Sequence, residues 1–193
     1  MKMNITKKFA VVLFICASIF TGCSSDDDKN ETEVVDTATL KTFKDVTFSL
    51  DYSEGFDAGR FFSTETGKSY KKSQIDAATL PKVDIAFYGG SSSLNFFVSP
   101  NDSEDGLGST ATNTDFINYV TNQYTIDQFN KLEKGEDLNS LTITDDGEAF
   151  PDSKLPLVVL FKNAAGKKGV IYVKSVTRVG SNPRIVADIK IQK

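Results

Sequence analysis

From residue 46 the chain alternates apolar and polar side chains. Val46, Phe48, Leu50 and Tyr52 are separated by Thr47, Ser49 and Asp51. A period of two places the apolar set on one side of a strand, so residues 46–52 are predicted as a half-buried strand. "GRFFSTETGKSYKKS" predicts a hairpin, with Glu65-Thr66-Gly67 as the turn between Phe61-Phe62 and Ser69-Tyr70. Val83, Ile85 and Phe87 form one face of the next strand, stopped by Gly89-Gly90. Leu94, Phe96 and Val98 form one face of another, stopped by Pro100.

The pattern then changes period. Phe116, Tyr119 and Val120 recur at helical spacing after Asn113-Thr114-Asp115. Thr125-Ile126-Asp127-Gln128 has the form of a capping box, ahead of Ile126, Phe129 and Leu132 on one helix face, with Gly135 ending the element. Two short helices are predicted here. Strands return at Leu141 and Ile143, before the turn Asp145-Asp146-Gly147. Leu157-Val158-Val159-Leu160-Phe161 is a continuous apolar run, which predicts a strand covered on both faces. After the turn "KNAAGKKG", residues 170–176 and 185–191 read as the last two strands, joined through Gly180-Ser181-Asn182-Pro183. Ile185, Ala187, Ile189 and Ile191 face one way, and Asp188, Lys190 and Gln192 the other. Eight or nine strands with a two-helix insert predict a mainly β domain, either a sandwich or a strongly curved antiparallel sheet.

The N-terminus follows other rules. Lys2, Lys7 and Lys8 precede an apolar run from Phe9 to Phe20. As a helix this run covers about 18 Å, against a bilayer core of about 30 Å, so it reads as a cleaved signal rather than a span. Phe20-Thr21-Gly22-Cys23 resembles a bacterial lipobox, although Phe20 stands where Leu is usual. The resemblance implies that Cys23 becomes the lipid-bearing first residue, carrying palmitate. Ser24, Ser25, Asp26, Asp27 and Asp28 resemble the acidic export signal of Bacteroidota surface lipoproteins. That implies an outer-membrane, cell-surface address. "LFKNAAGKKGVIYVKSV", "IVADIKIQK" and "GRFFSTETGKSY" are similar to segments of uncharacterised Bacteroidota lipoproteins, which implies location and no reaction. The expected organisation is a signal at 1–22, a lipidated acidic tether at 23–40 and one β-rich domain at 41–193.

Processing leaves 171 residues with 19 Lys and Arg against 26 Asp and Glu, a formal charge of −7. The acidic balance argues against nucleic acid, which is held largely by Lys and Arg. The lipobox resemblance implies that Cys16 leaves with the signal and Cys23 carries lipid, so that no thiol would remain to react or cross-link. The chain has no histidine. Serine triads, cysteine proteases, zinc hydrolases and haem ligation through His all lose their principal residue.

Three groups remain as candidates. Asn101, Ser103 and Asp105, followed by Gly106, match the start of an EF-hand-type calcium loop. Thr112 stands where that loop needs a bidentate Glu, so calcium would require acids from elsewhere, such as Asp145 or Asp146; the alternative is a plain turn. Tyr88, before the Gly-Gly-Ser loop, is the candidate platform for stacking a sugar ring. Asp51, Glu54 and Asp57 are close in sequence, whereas a glycosidase sets its two carboxylates across the sugar from one another. The expected function is a non-catalytic binding module for a glycan, a peptide or a partner envelope protein. A carboxylate-only enzyme acting on polysaccharide, or a structural spacer, is the alternative.

Overall fold

The computed structural model describes residues 32–50, 59–89, 93–102, 104, 106–119 and 124–193. Two antiparallel sheets pack face to face as a β-sandwich. The six-stranded sheet runs in the order β1 (Glu33–Asp36), β2 (Leu40–Ser49), β11 (Arg184–Gln192), β10 (Lys168–Thr177), β9 (Leu157–Lys162) and β7 (Asp115–Ile117). The five-stranded sheet runs β4 (Lys68–Tyr70), β3 (Phe61–Ser63), β5 (Ile85–Gly89), β6 (Leu94–Val98) and β8 (Phe150–Pro151). The chain thus changes sheet between β2 and β3, returns for β7, crosses for β8 and ends in the β9–β10–β11 meander.

Phenylalanine seals the space between the sheets. Phe48 of β2 meets Phe62, Phe87 and Phe97 of the facing sheet at ring distances of 6.3, 5.7 and 5.3 Å. Phe97, Phe116 and Phe161 continue the row at 6.0 Å per step. Edge-on and offset ring pairs of this kind add about 0.5–1.5 kcal/mol each beyond area burial. The alternation of β11 is obeyed, with Ile185, Ala187, Ile189 and Ile191 all buried.

The six-stranded sheet carries a second apolar layer on its outer face. Leu40, Val158, Leu160 and Val170 pack there against Phe129, Leu132, Leu138 and Ile143. These come from α1 (Ile126–Lys131), the 3-10 turn Gly135–Leu138 and the segment after it. This cover explains the unbroken apolar run of β9, whose side chains enter both layers. Thr125 caps α1 as its sequence predicts: its Oγ1 accepts the Gln128 N–H at 3.2 Å, and Gln128 Oε1 accepts the Thr125 N–H at 2.7 Å. At the other end Lys190 Nζ donates to the carbonyls of Phe129 and Leu132, both at 2.8 Å, in the last turn of the helix, where Phe129 O also accepts the Leu132 N–H at 3.2 Å. Burial there pulls the Lys190 ammonium below its ordinary pKa.

Four expectations need correction. Residues 33–36, read as tether, form edge strand β1; all four side chains are exposed, so no alternation betrays it, and its backbone pairs with β2. Phe116 and Tyr119 do not begin a helix. Residues 115–117 pair with β9 as β7, and Asp115 meets Lys162 at 2.6 Å; among the described residues the insert therefore holds one α-helix. The inward residues of β6 are Asn95 and Phe97, not Leu94, Phe96 and Val98, because Val98 instead joins Phe61, Val83 and Ala86 on the outer face of the sheet. Leu141 and Ile143 lie in irregular chain that covers β9 rather than in a strand. Tyr52 and Val120 lie outside the described residues.

Candidate functional site

One end of the sandwich is closed by the β3–β4 turn, the 3-10 turn Leu80–Lys82 and the β9–β10 hairpin. Asp84 sits where these meet, one residue before β5, and it is 7% exposed. Its Oδ1 accepts the backbone N–H of Thr64 at 2.9 Å. Its Oδ2 accepts the Thr64 hydroxyl and, at 3.2 Å, the amide of Asn163. Burial pushes the carboxyl above its ordinary pKa, and the bonds from Thr64 and Asn163 offset only part of that.

Asn163 is aimed by its own turn. Its Oδ1 accepts the N–H groups of Ala165 and Lys167, both at 3.1 Å, which leaves Nδ2 to point at Asp84. Gly166 takes φ +76°, a left-handed conformation that suits glycine at the tip of this hairpin. Thr114 adds a bond from its hydroxyl to the Asp84 carbonyl at 2.7 Å. The carboxyl is therefore a neutral-partnered clasp between the ends of β3 and β5 in one sheet and the β9–β10 hairpin of the other.

A cleft of about 240 Å³ opens above this clasp, lined by Lys41, Lys82, Asp84, Thr112, Asn163 and Lys167 among others. A second cleft of about 340 Å³ adjoins it, and the two share Ala165, Lys167 and Gln192. Lys82 is paired with Glu65 at 3.2 Å. Among the described residues Lys41 Nζ reaches only carbonyls, those of Thr64 at 3.4 Å and Glu65 at 3.3 Å. Among the described residues Lys167 has no ion pair; its side chain is exposed at the junction of the two clefts.

A second polar network occupies the opposite end of β10. Arg178 Nη2 donates to Asp152 Oδ1 at 2.8 Å and to Asn95 Oδ1 at 2.9 Å. Asn95 Nδ2 donates back to Asp152 at 2.8 Å. Arg178 holds the Asp152 carboxyl below its ordinary pKa. This joins the end of β10 to β6 and β8 across the sandwich.

The residues singled out in the sequence fall elsewhere. Cys23, Ser24, Ser25, Asp26, Asp27 and Asp28 lie outside the described residues, as do Ser103 and Asp105 of the suggested calcium loop and Asp51, Glu54 and Asp57. Asn101 donates its amide to Asn113 Oδ1 at 3.3 Å. The loop closes on itself through Leu107 N–H to Pro100 O and Gly108 N–H to Asp102 O. Among the described residues no group of three acids gathers as a metal site. Asp146 accepts the Glu148 N–H at 3.0 Å in its own turn. Tyr88 is half-buried on the outer face of the five-stranded sheet, stacked on Phe96 at 4.8 Å, and lines neither cleft.

Asp84, Asn163, Lys41 and Lys167 escaped the sequence reading. One signal was available: Asp84 interrupts the apolar run "VDIAF", where an acid needs partners to be buried. No protein-family model, curated protein or solved structure matches the chain.

Proposed function

We propose that the protein is a cell-envelope lipoprotein, held in the outer membrane by lipid on Cys23 and displayed outside the cell, whose β-sandwich is a non-catalytic binding module for an extracellular ligand. The signal-like N-terminus, the lipobox-like Phe20-Thr21-Gly22-Cys23 and the acids after it support the address. The observation that carries the binding role is the pair of adjoining clefts at the sandwich end, with cations presented at their walls and a carboxyl at the base whose two oxygens are already occupied. Concave, polar-walled sites between loops on a rigid β framework are where such domains hold ligands.

Labelling cells with radioactive palmitate tests the anchor. The full chain is expected to take label and Cys23→Ala to lose it; equal labelling of the two refutes the anchor. Protease added to intact cells is expected to degrade the displayed chain, while survival until the outer membrane is opened would place it on the inner leaflet.

A second reading, hydrolysis of a polysaccharide by carboxylates alone, is favoured by one observation: Asp84 is a carboxyl of raised pKa at the base of a cleft. Release of reducing ends by the wild-type chain, abolished in Asp84→Asn with ligand affinity intact, would decide for it.

A further inference from the structure

We propose that the two adjoining clefts form one anion-binding track that takes an acidic polysaccharide, its carboxylate or sulfate groups lying against Lys41 and Lys167. This deepens the binding-module reading and rests on it.

The charges lining the track set the ligand's sign. Lys82 is paired with Glu65 and Lys193 with Asp36, Asp84 directs both oxygens at Thr64 and Asn163, and Glu136, the acid of the second cleft, accepts the Thr39 hydroxyl at 2.9 Å. Among the described residues Lys41 and Lys167 then have no carboxylate partner, in a chain whose formal charge is −4. Lys41 is half-buried, and its ammonium has three protons to donate. Its two carbonyl contacts, 3.3 and 3.4 Å, are longer than the ~2.7–3.2 Å of a good N–H···O bond. A cation partly withdrawn from water and bonded this weakly gains from an arriving anion. Lys167 stands at the junction of the two clefts, so an anion bound there touches both.

The walls narrow the class of molecule. The exposed large apolar side chains of the described residues, Val34, Val35, Leu94 and Val179, all lie outside the two linings, whose apolar members Pro81, Ile191 and a few alanines are small or buried and offer little to an acyl chain. Turns and a hairpin loop border the first cleft, so an extended peptide finds no open strand edge there to pair with. Hydroxyls, amides and ammonium groups along two adjoining clefts suit a hydroxylated chain that carries regular negative charge. Lysines serve this as point charges that tolerate variation in the anion's geometry.

Calorimetric titration of the full chain in detergent provides the test, with polygalacturonate, chondroitin sulfate, neutral dextran and poly-glutamate as probes. Polygalacturonate or chondroitin sulfate is expected to bind, and to bind less tightly at about 0.15 M salt than at about 0.01 M. Lys167→Glu and, separately, Lys41→Met are each expected to weaken that binding about 5–10-fold with the melting temperature unchanged. Whichever acidic polymer binds identifies the source of the anion, uronate or sulfate ester. Affinity unmoved by both substitutions overturns the track. Dextran binding as tightly as the acidic polymers overturns the anion preference and leaves the binding-module reading standing. Tighter binding of poly-glutamate overturns the polysaccharide assignment, and binding of no probe overturns the whole inference.

Discussion

Asp84 and Asp152 each tie one sheet to the other, near opposite ends of β10, and their environments differ. Asp152 faces a guanidinium and a fully buried amide, so its negative charge is matched inside the fold. Asp84 faces a backbone N–H, a hydroxyl and an amide, none of them charged. The ion pair at Asp152 consumes its cation, whereas the neutral clasp at Asp84 leaves Lys41 and Lys167 unspent beside the clefts. Two carboxylates with the same architectural task thus leave different surfaces: an end whose cation is matched and one that presents positive charge.

The largest effect should come from breaking the charged clasp. Asp152→Ala strips Arg178 of its carboxylate and Asn95 of one acceptor, and unpaired polar groups at such sites cost about 2–4 kcal/mol together. Urea unfolding should show the midpoint fall with little change in slope. A loss under about 0.5 kcal/mol would mean that water replaces the carboxylate fully and that the network contributes no stability.

Titration separates the two carboxylates by sign. Asp152 has a depressed folded pKa, so its contribution is present above the unfolded value of about 3.9 and is lost as pH falls through the folded value. Asp84 has a raised folded pKa, so its contribution is complete below about 3.9 and is lost as pH rises through the folded value. The advantage of wild type over Asp152→Asn should therefore grow as pH rises. Its advantage over Asp84→Asn should shrink. Parallel stability-against-pH curves for the two variants would show that the environments are not opposed.

Much of the sandwich was legible because local pattern and burial coincide. β11 obeys strict alternation, β9 is a run of five apolar residues, and the α1 cap is a short-range side-chain bond. Where the pattern misled, the decisive contacts were distant in sequence. Apolar side chains at four of the five β6 positions allow either face to be inward, and Asn95 turns in because Asp152 and Arg178 receive it. β7 is three residues long and carries the Asn-Thr-Asp signature of a helix start, yet those groups bond elsewhere. Thr114 reaches Asp84, Asp115 reaches Lys162, and the carboxamide of nearby Asn118 pairs with both backbone groups of Phe97 at 2.7 and 2.9 Å. The clefts were invisible for the same reason: Lys41, Asp84 and Lys167 come from three separate parts of the chain and meet only after the sheets have packed.

The smallest predicted effect probes the neutral clasp most finely. Thr64→Val keeps the shape of a β-branched side chain and the backbone N–H that Asp84 accepts, and removes only the hydroxyl. Loss of one hydrogen bond at a buried carboxyl should cost about 1 kcal/mol at neutral pH. The hydroxyl lowers the Asp84 pKa by favouring the charged form, so its removal should push that pKa further up. The cost should consequently shrink in acid, where Asp84 is protonated and no longer needs a donor at Oδ2. Carbon-13 detected titration of the Asp84 carboxyl would read this directly. An unchanged pKa in Thr64→Val would mean that burial, the Thr64 backbone N–H and Asn163 set the charge at the base of the cleft without the hydroxyl.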